Sequence, residues 1–327
     1  VGSEMCIRDS TSGAIQLAVD ATKSRGGGTV RLSPGTFAIS GPIRLASNIT
    51  LEGAGAETVL QKSKGFRTSF IIDADWGMLK VAVKDPSGFH VGDGLQLFDD
   101  LHDQGWDVTT GVITSIEENV LFIDHPTVHD YIASENGTIS NAFSIVEGVD
   151  VENVRIAHLV VDGDRATNDY INGCRGGGIY LHKARNSTVE GVHVRNFNGD
   201  SFSWQVTENI TVRDSEASYG GGLGFHPGTG SDGSIVIRNR SHHNLQDGIF
   251  LCWRVQNGEF RDNEVYANQR HGISIGHKDT DNLFENNRVY ENARNGIHFR
   301  NENEQNGGHR NTFIKNTIED NGVDGDA

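Results

Sequence analysis

The sequence predicts an all-β solenoid, a parallel β-helix with an N-terminal capping α-helix and one small inserted β-module. Three observations predict it. First, the last third repeats one unit: QDGIFLCWRVQNGEFRDNEVYAN, then RHGISIGHKDTDNLFENNRVYEN, then RNGIHFRNENEQNGGHRNTFIKNTIEDN, with Gly248, Gly272 and Gly296 spaced 24 residues apart. Asn239, Asn263 and Asn287 keep the same interval, as do Asn244, Asn268 and Asn292. A fixed period of this length belongs to units that bury their apolar faces only by stacking on one another. Second, each unit contains short apolar alternations of period two, the signature of strands rather than helices. Third, Gly is frequent at 41 and Pro rare at 5 in 327 residues, and glycines that recur in register serve tight corners.

The elements follow in order. Residues 1–10, VGSEMCIRDS, have no repeat character and read as a cloning or assembly scar. Residues 11–25 carry an amphipathic stripe of Ile15, Ala18, Val19 and Ala21–Thr22, with Ser12 as N-cap and Gly26 as the stop. In GGGTVRLSPGTFAISGPIRLASNITLEGAG the pairs Val30/Leu32, Phe37/Ile39, Ile43/Leu45 and Ile49/Leu51 alternate between turn residues, so strands follow the helix. A helix placed there covers the open edge of the first rung.

The stretch AIQLAVDATKSRGGGTVRLSPGTFAISGPIRLASNITLEGAGAETVL resembles the N-terminal cap and first rungs of pectate-lyase-like right-handed parallel β-helices. The resemblance covers about sixty residues. It implies a right-handed coil and no single chemistry, since that superfamily includes lyases, hydrolases, epimerases and phage tailspikes. The cap and first rungs take residues 11–84. Residues 85–143 break the rhythm with FHVGDGLQLFDD, TTGVITSIEENVLFID and HPTVHDYI, which read as an inserted β-module. Its acidic loop DDLHDQGWD offers Trp106 as one wall of a groove. Rungs resume over 144–322. Residues 323–327 form a tail that follows a rung with no capping helix, as a truncated chain would.

Charge narrows the partners. With 44 acidic against 28 basic residues the net charge is −16, which disfavours nucleic acid and anionic membranes as partners because both need a basic face. No run of 18 apolar residues is present to span a bilayer. Cys6, Cys174 and Cys252 do not make a disulfide framework.

Stacking the repeats turns positions into columns. Ile249/Leu251, Ile273/Ile275 and Ile297/Phe299 point inward, joined by Ile179/Leu181, Phe202/Trp204 and Leu223/Phe225. Outward columns then read Tyr180, Ser203, Gly224, Phe250, Ser274, His298 and His182, Gln205, His226, Cys252, Gly276, Arg300. The corner before this sheet offers Asp200, Asp247, His271 and Asn295. The turn after it offers Pro227, Trp253, His277, Asn301 and Gly228, Arg254, Lys278, Glu302, with Asp279 and Asp281 further out. Ionisable and basic groups thus gather on one strip of an acidic chain, which makes the strip the candidate site.

DGIFL followed by HGISIG and NGIHFR resembles the rungs of polygalacturonase-type hydrolases. That resemblance implies Asp247 as catalytic acid, His271 as its orienting partner, and His298 with Arg300 as contacts to a substrate carboxylate. Two departures stand against it: Gln246 occupies the place of a second aspartate, and GGGLGFHPG carries no carboxylate. β-Elimination at a uronate asks instead for a cation on the carboxylate, a base for the C5 proton and an acid for the leaving oxygen. Arg300 or Arg254 suits the first role, and His226 or His271 the second. Lys278 serves as base or acid, and Trp253, His277, His298 and Asp200 line the substrate. No resident metal is expected, although a Ca²⁺ held by Asp200 and Asp247, or by Asp279 and Asp281, would replace an arginine as neutraliser. The expected function is a polysaccharide lyase or related C5 epimerase, secreted or periplasmic by its substrate class. An inverting hydrolase and a non-catalytic glycan-binding β-helix are the alternatives.

Overall fold

In the computed structural model, residues 11–322 are described. The expected scar at 1–10 and tail at 323–327 lie outside them. The capping helix runs Thr11–Lys23 and buries Ile15 and Val19 against the first rung. Ser12 is buried within its first turn rather than standing ahead of it as a cap. Gly26 and Gly27, at φ of +90° and +121°, carry the chain from the helix into the first strand. Such left-handed backbone costs a glycine little.

Three parallel sheets of nine, eight and nine strands form the solenoid. The eight-stranded sheet, here the site sheet, contains Ile43–Leu45, Val146–Val149, Ile179–His182, Phe202–Gln205, Phe225–Pro227, Ile249–Phe250, Ile273–Ile275 and Ile297–Phe299. One apolar cluster runs the length of the coil from Ile15 to Val289. Inside it, Phe202 stacks on Phe225 with ring centroids 4.8 Å apart, and Phe260 on Phe284 at 4.7 Å. Among the described residues no helix is long and apolar enough to cross a membrane.

The repeated asparagines are the polar counterpart of that core. Asn239 donates from Nδ2 to Oδ1 of Asn263 at 3.1 Å, and Asn263 to Asn287 at 2.9 Å. Each Oδ1 also accepts the backbone N–H of the asparagine one rung earlier. Asn244, Asn268, Asn292 and Asn321 repeat the pattern at a second corner. Buried amides are tolerated here because every corner satisfies the next.

The insert is a six-stranded antiparallel sheet with a core of its own, including Phe70, Leu97, Leu121 and Tyr131. It takes in Arg67–Ser69 and Lys80–Ala82, ahead of the boundary at residue 85 drawn from the sequence. Those two strands pair with Thr138–Ser140 and Val120–Phe122. Such distant pairing leaves no local pattern to read. The coil closes across the insert, with Ile43–Leu45 lying directly against Val146–Gly148.

One register expected from the sequence is corrected. Phe225 pairs with Phe202 and Ile249, and Pro227 with Trp204, so the inward pair of that rung is Phe225/Pro227, not Leu223/Phe225. The extra glycines of GGGLGFHPG lengthen the corner. A Cβ on Gly222 would come 2.1 Å from Oδ1 of Asp200, so the chain can pass there only without a side chain. The two-residue shift moves His226 into the column of Ser203 and Phe250, and brings Gly228 over Gln205.

Candidate functional site

The corner before the site sheet is a ladder of acceptors. Asp200 Oδ1 accepts the N–H of Leu223 at 2.8 Å, Asp247 Oδ1 that of His271 at 2.9 Å, and His271 Nδ1 that of Asn295 at 3.3 Å. Each rung's corner side chain thus caps the backbone of the next. Because Nδ1 of His271 accepts, its proton sits on Nε2 and the ring is neutral. Burial, with nearby His298, Arg270 and Arg294, holds it down to about 4. His271 therefore meets Asp247 through its backbone, while its ring stacks on His298 at 4.0 Å. Burial pushes the Asp247 carboxyl above the usual range.

Asp200 does more than cap. Its Oδ2 lies 2.7 Å from Nδ1 of His226, and both side chains are buried, at 2% and 5% exposure, with the imidazole keeping the larger share of open surface. Burial opposes a charged imidazole, but the bonds to Asp200 and Cys252 prevail and push His226 up to about 9. Space for the pair is made by glycine: a Cβ on Gly173 would fall 1.8 Å from Asp200 Oδ2 and 2.5 Å from His226 Nδ1. The Gln205 carboxamide lies 3.4 Å from Nε2 of His226. Tyr170 stands at the rim, 42% exposed as a residue while its hydroxyl is crowded by protein and accepts from Gln246 Nε2 at 3.4 Å. Burial of the phenol and the charge of Asp200 raise its pKa, so it stays protonated.

The other predicted residues fall into separate groups. Arg300 folds back across the two preceding rungs: Nη1 donates to Ser274 Oγ at 3.1 Å, and Nη2 to the Leu251 carbonyl at 2.6 Å and to Asp279 Oδ2 at 3.0 Å. Its guanidinium covers the Phe250 ring at 4.3 Å. Trp253 stacks on His277 at 4.4 Å on the turn, where His277 faces Glu302 at 3.4 Å. Arg254 is exposed beside them, and Lys278 half-buried, both with left-handed backbone. Cys252 is half-buried one rung from His226.

The carboxylates considered for calcium already have protein partners. Asp279 accepts from Val255 N, Gly276 N and Arg300, and Asp281 pairs with Arg310. Asp200 is taken by Leu223 and His226. Among the described residues no group of three or more His, Cys, Asp or Glu is arranged to hold a metal. These residues do not fit a calcium cradle.

Tyr170 and the rest of the 170–176 strap escaped the column reading. The strap belongs to a long connection, DGDRATNDYINGCRGGG, that interrupts the period and so has no counterpart on neighbouring rungs. Its only sequence signal is that break in spacing.

Comparison with known proteins agrees with this architecture. The family model described as "Right handed beta helix region" matches residues 162–318. Mannuronan C5-epimerase AlgE6 of Azotobacter vinelandii is 26% identical over 274 residues, covering 80% of this chain but only 21% of its own length. The A-module of mannuronan C-5 epimerase AlgE4 from the same organism superposes with a TM-score of 0.60 at 18% identity, covering 96% of this chain and 75% of that one. The catalytic unit of a GH87 α-1,3-glucanase from Streptomyces thermodiastaticus gives a TM-score of 0.56 at 16% identity, over 94% of this chain and 44% of that one. At such identities the two superpositions speak for the fold alone. The chain is thus similar to right-handed parallel β-helix proteins and shares their fold.

Proposed function

We propose that this chain acts on a uronate-containing polysaccharide by proton transfer at C5, as a lyase or a C5 epimerase. One observation carries the reading: a buried Asp200–His226 pair lies at the centre of the site sheet, with Tyr170 at the rim close enough to feel the charge of Asp200. The curated relatives named as mannuronan C5-epimerases, 24–26% identical, support it. Both reactions begin alike. A base removes the C5 proton, and the electron pair is drawn toward the carboxylate, whose charge a cation offsets.

In the lyase the C4–O4 bond then breaks, a C4=C5 double bond forms, and O4 leaves with a proton. In the epimerase no C–O bond breaks and a proton returns from the opposite face. His226, oriented through Nδ1 by Asp200, is the base once it has lost its own proton. Tyr170, protonated at all ordinary pH, supplies the proton. Arg254 and Lys278 on the turn side, with Arg270 and Arg294 at the corner, border the strip with positive charge. Trp253 offers a stacking face. Arg300 acts as a positioning residue, since Asp279 and two oxygens of its own coil hold it.

A hydrolase is the second reading, and the raised pKa of Asp247 is what favours it, since such an acid protonates a leaving oxygen. Its partner carboxylate would be Asp200, two rungs away and already bound to His226. One assay separates the outcomes. Mannuronan, polygalacturonate and a neutral glucan are incubated with the protein in D₂O. Reducing ends, the ultraviolet band of an unsaturated uronate and deuterium at C5 are then followed. Unsaturation or C5 deuterium is expected. Reducing ends without either means hydrolysis, and silence in all three leaves a binding protein.

A further inference from the structure

A cleft of about 510 Å³ opens between the inserted module and the first three rungs of the site sheet. The module contributes Thr110 and Val128, the sheet Arg44, Glu147, Tyr180 and His182, and the strap Arg175. That volume falls within the roughly 300–1,000 Å³ of small-molecule sites. The cleft lies on the same face as His226, since Glu147, Tyr180, Ser203 and His226 are successive neighbours in one column. At about 4.8 Å per rung, Tyr180 and His226 are separated by roughly two rungs. The strap 170–176 joins the two places: Gly173 packs on the Asp200–His226 pair, and Arg175 reaches into the cleft.

The two arginines in the lining differ in their partners. Arg44 is answered by Glu147 at 2.8 Å and by Asp124. Arg175 has no carboxylate partner among the described residues. Its Nε donates to the carbonyl of Trp106 at 3.1 Å, Nη2 bonds the same oxygen, and the Trp106 ring lies 5.2 Å from its central carbon. A guanidinium has five N–H donors in a planar fork, and the Nη1 edge has no acceptor among the described residues. Trp106 fixes this cation from one side, and also flanks His182 at 5.5 Å between ring centroids. A half-buried arginine, clamped by a carbonyl and a ring and lacking a counter-charge, suits a carboxylate ligand better than a neutral one.

We infer that the cleft beneath the insert is a binding subsite for an acidic sugar unit, with Arg175 holding its carboxylate. A polymer seated there continues along the column toward His226, so the insert fixes the register in which units reach the reacting position. The inference rests on the proposed function only for the choice of a uronate as ligand.

The test is calorimetric titration of the full chain with tetramers of mannuronate and galacturonate, against a neutral mannose tetramer. The unmodified protein is expected to bind one of the acidic tetramers at least tenfold more tightly than the neutral one. Arg175→Gln removes that preference. Val128→Trp, which fills the cleft from the module side, weakens both kinds of ligand. Thermal melts of each variant separate lost binding from lost folding, and Arg175→Lys, which keeps the charge, retains part of the preference. Equal affinity for acidic and neutral tetramers, no binding at all, or undiminished preference in a folded Arg175→Gln would overturn the subsite. Turnover is read separately: acid-selective binding without C5 exchange sinks the proposed reaction and leaves the subsite standing. C5 exchange that ignores Arg175 does the reverse.

Discussion

Nδ1 of His226 and Oδ2 of Asp200 stand 2.7 Å apart on adjacent rungs, in a space kept open by two glycines. The pair raises His226 from 6.5 to about 9. A group whose proton is held more tightly in the folded state contributes stability that is fully present below about pH 6.5. That contribution is lost as pH rises through about 9. The melting temperature should therefore fall between pH 7 and pH 10. Asp200→Asn should flatten that limb while lowering stability by roughly 3–5 kcal/mol, the usual cost of breaking a buried pair. An unchanged alkaline limb in Asp200→Asn would show that the proton is held elsewhere.

Turnover should follow the same group in the opposite sense. If His226 is the base, the rate on a uronate polymer climbs with pH up to about 9, as the ring gives up its proton. Tyr170→Phe should lower turnover about 10²- to 10⁴-fold with little change in binding, the range for loss of one acid–base group. A pH–rate profile of each variant checks this. A Tyr170→Phe enzyme with full activity removes the tyrosine from the mechanism.

Asp279 and Arg300 make a different buried pair. Burial pushes the Asp279 carboxyl up to about 6 even with Arg300 beside it. A raised carboxyl adds stability in full below about pH 3.8, and the gain is lost as pH rises through 6. Arg300→Leu leaves the carboxylate without its cation and should cost roughly 3–5 kcal/mol at neutral pH. The loss should shrink at pH 5, where the acid protonates. Denaturant unfolding at pH 5 and pH 8 measures the difference; an equal loss at both would mean that only packing was removed.

The asparagine ladder carries a prediction independent of function. Asn263→Ala removes side-chain bonds to Asn287, to the Val236 carbonyl and from Asn239. It leaves buried backbone groups unmet at about 1–3 kcal/mol each. An exposed control, Asn301→Ala, should stay within about 0.5 kcal/mol. Urea midpoints compare the two directly, and similar midpoints would mean that the ladder is not satisfied as drawn.

The fold was legible because the solenoid writes its contacts at a fixed interval. Ile249, Ile273 and Ile297 share a column in the sequence and a column in space. The site was legible only where that interval held. Asp200, Asp247 and His271 were placed at one corner, and they are there. His226 was misaligned by two residues because glycines lengthened its corner. Nothing in the spacing tied it to Asp200, since two side chains meet through the path of the chain and not through its count. Tyr170 and Arg175 lie on an irregular strap, and the cleft needs strands paired across the insert. Neither leaves a period to find.

The closure of the coil over the insert also sets an order of events. Arg44 meets Glu147 across 103 residues of chain, whereas later rungs meet their neighbours across 24. Contacts that close long loops form late. On a ribosome the cap and opening strands emerge first but must wait, unpaired on one edge, until the module has been made and has folded out of the way. The latest-made rungs have no such delay. Damage to the module's own core, at Leu97 or Leu121 for instance, should therefore appear first as poor yield and aggregation, before any change in the site.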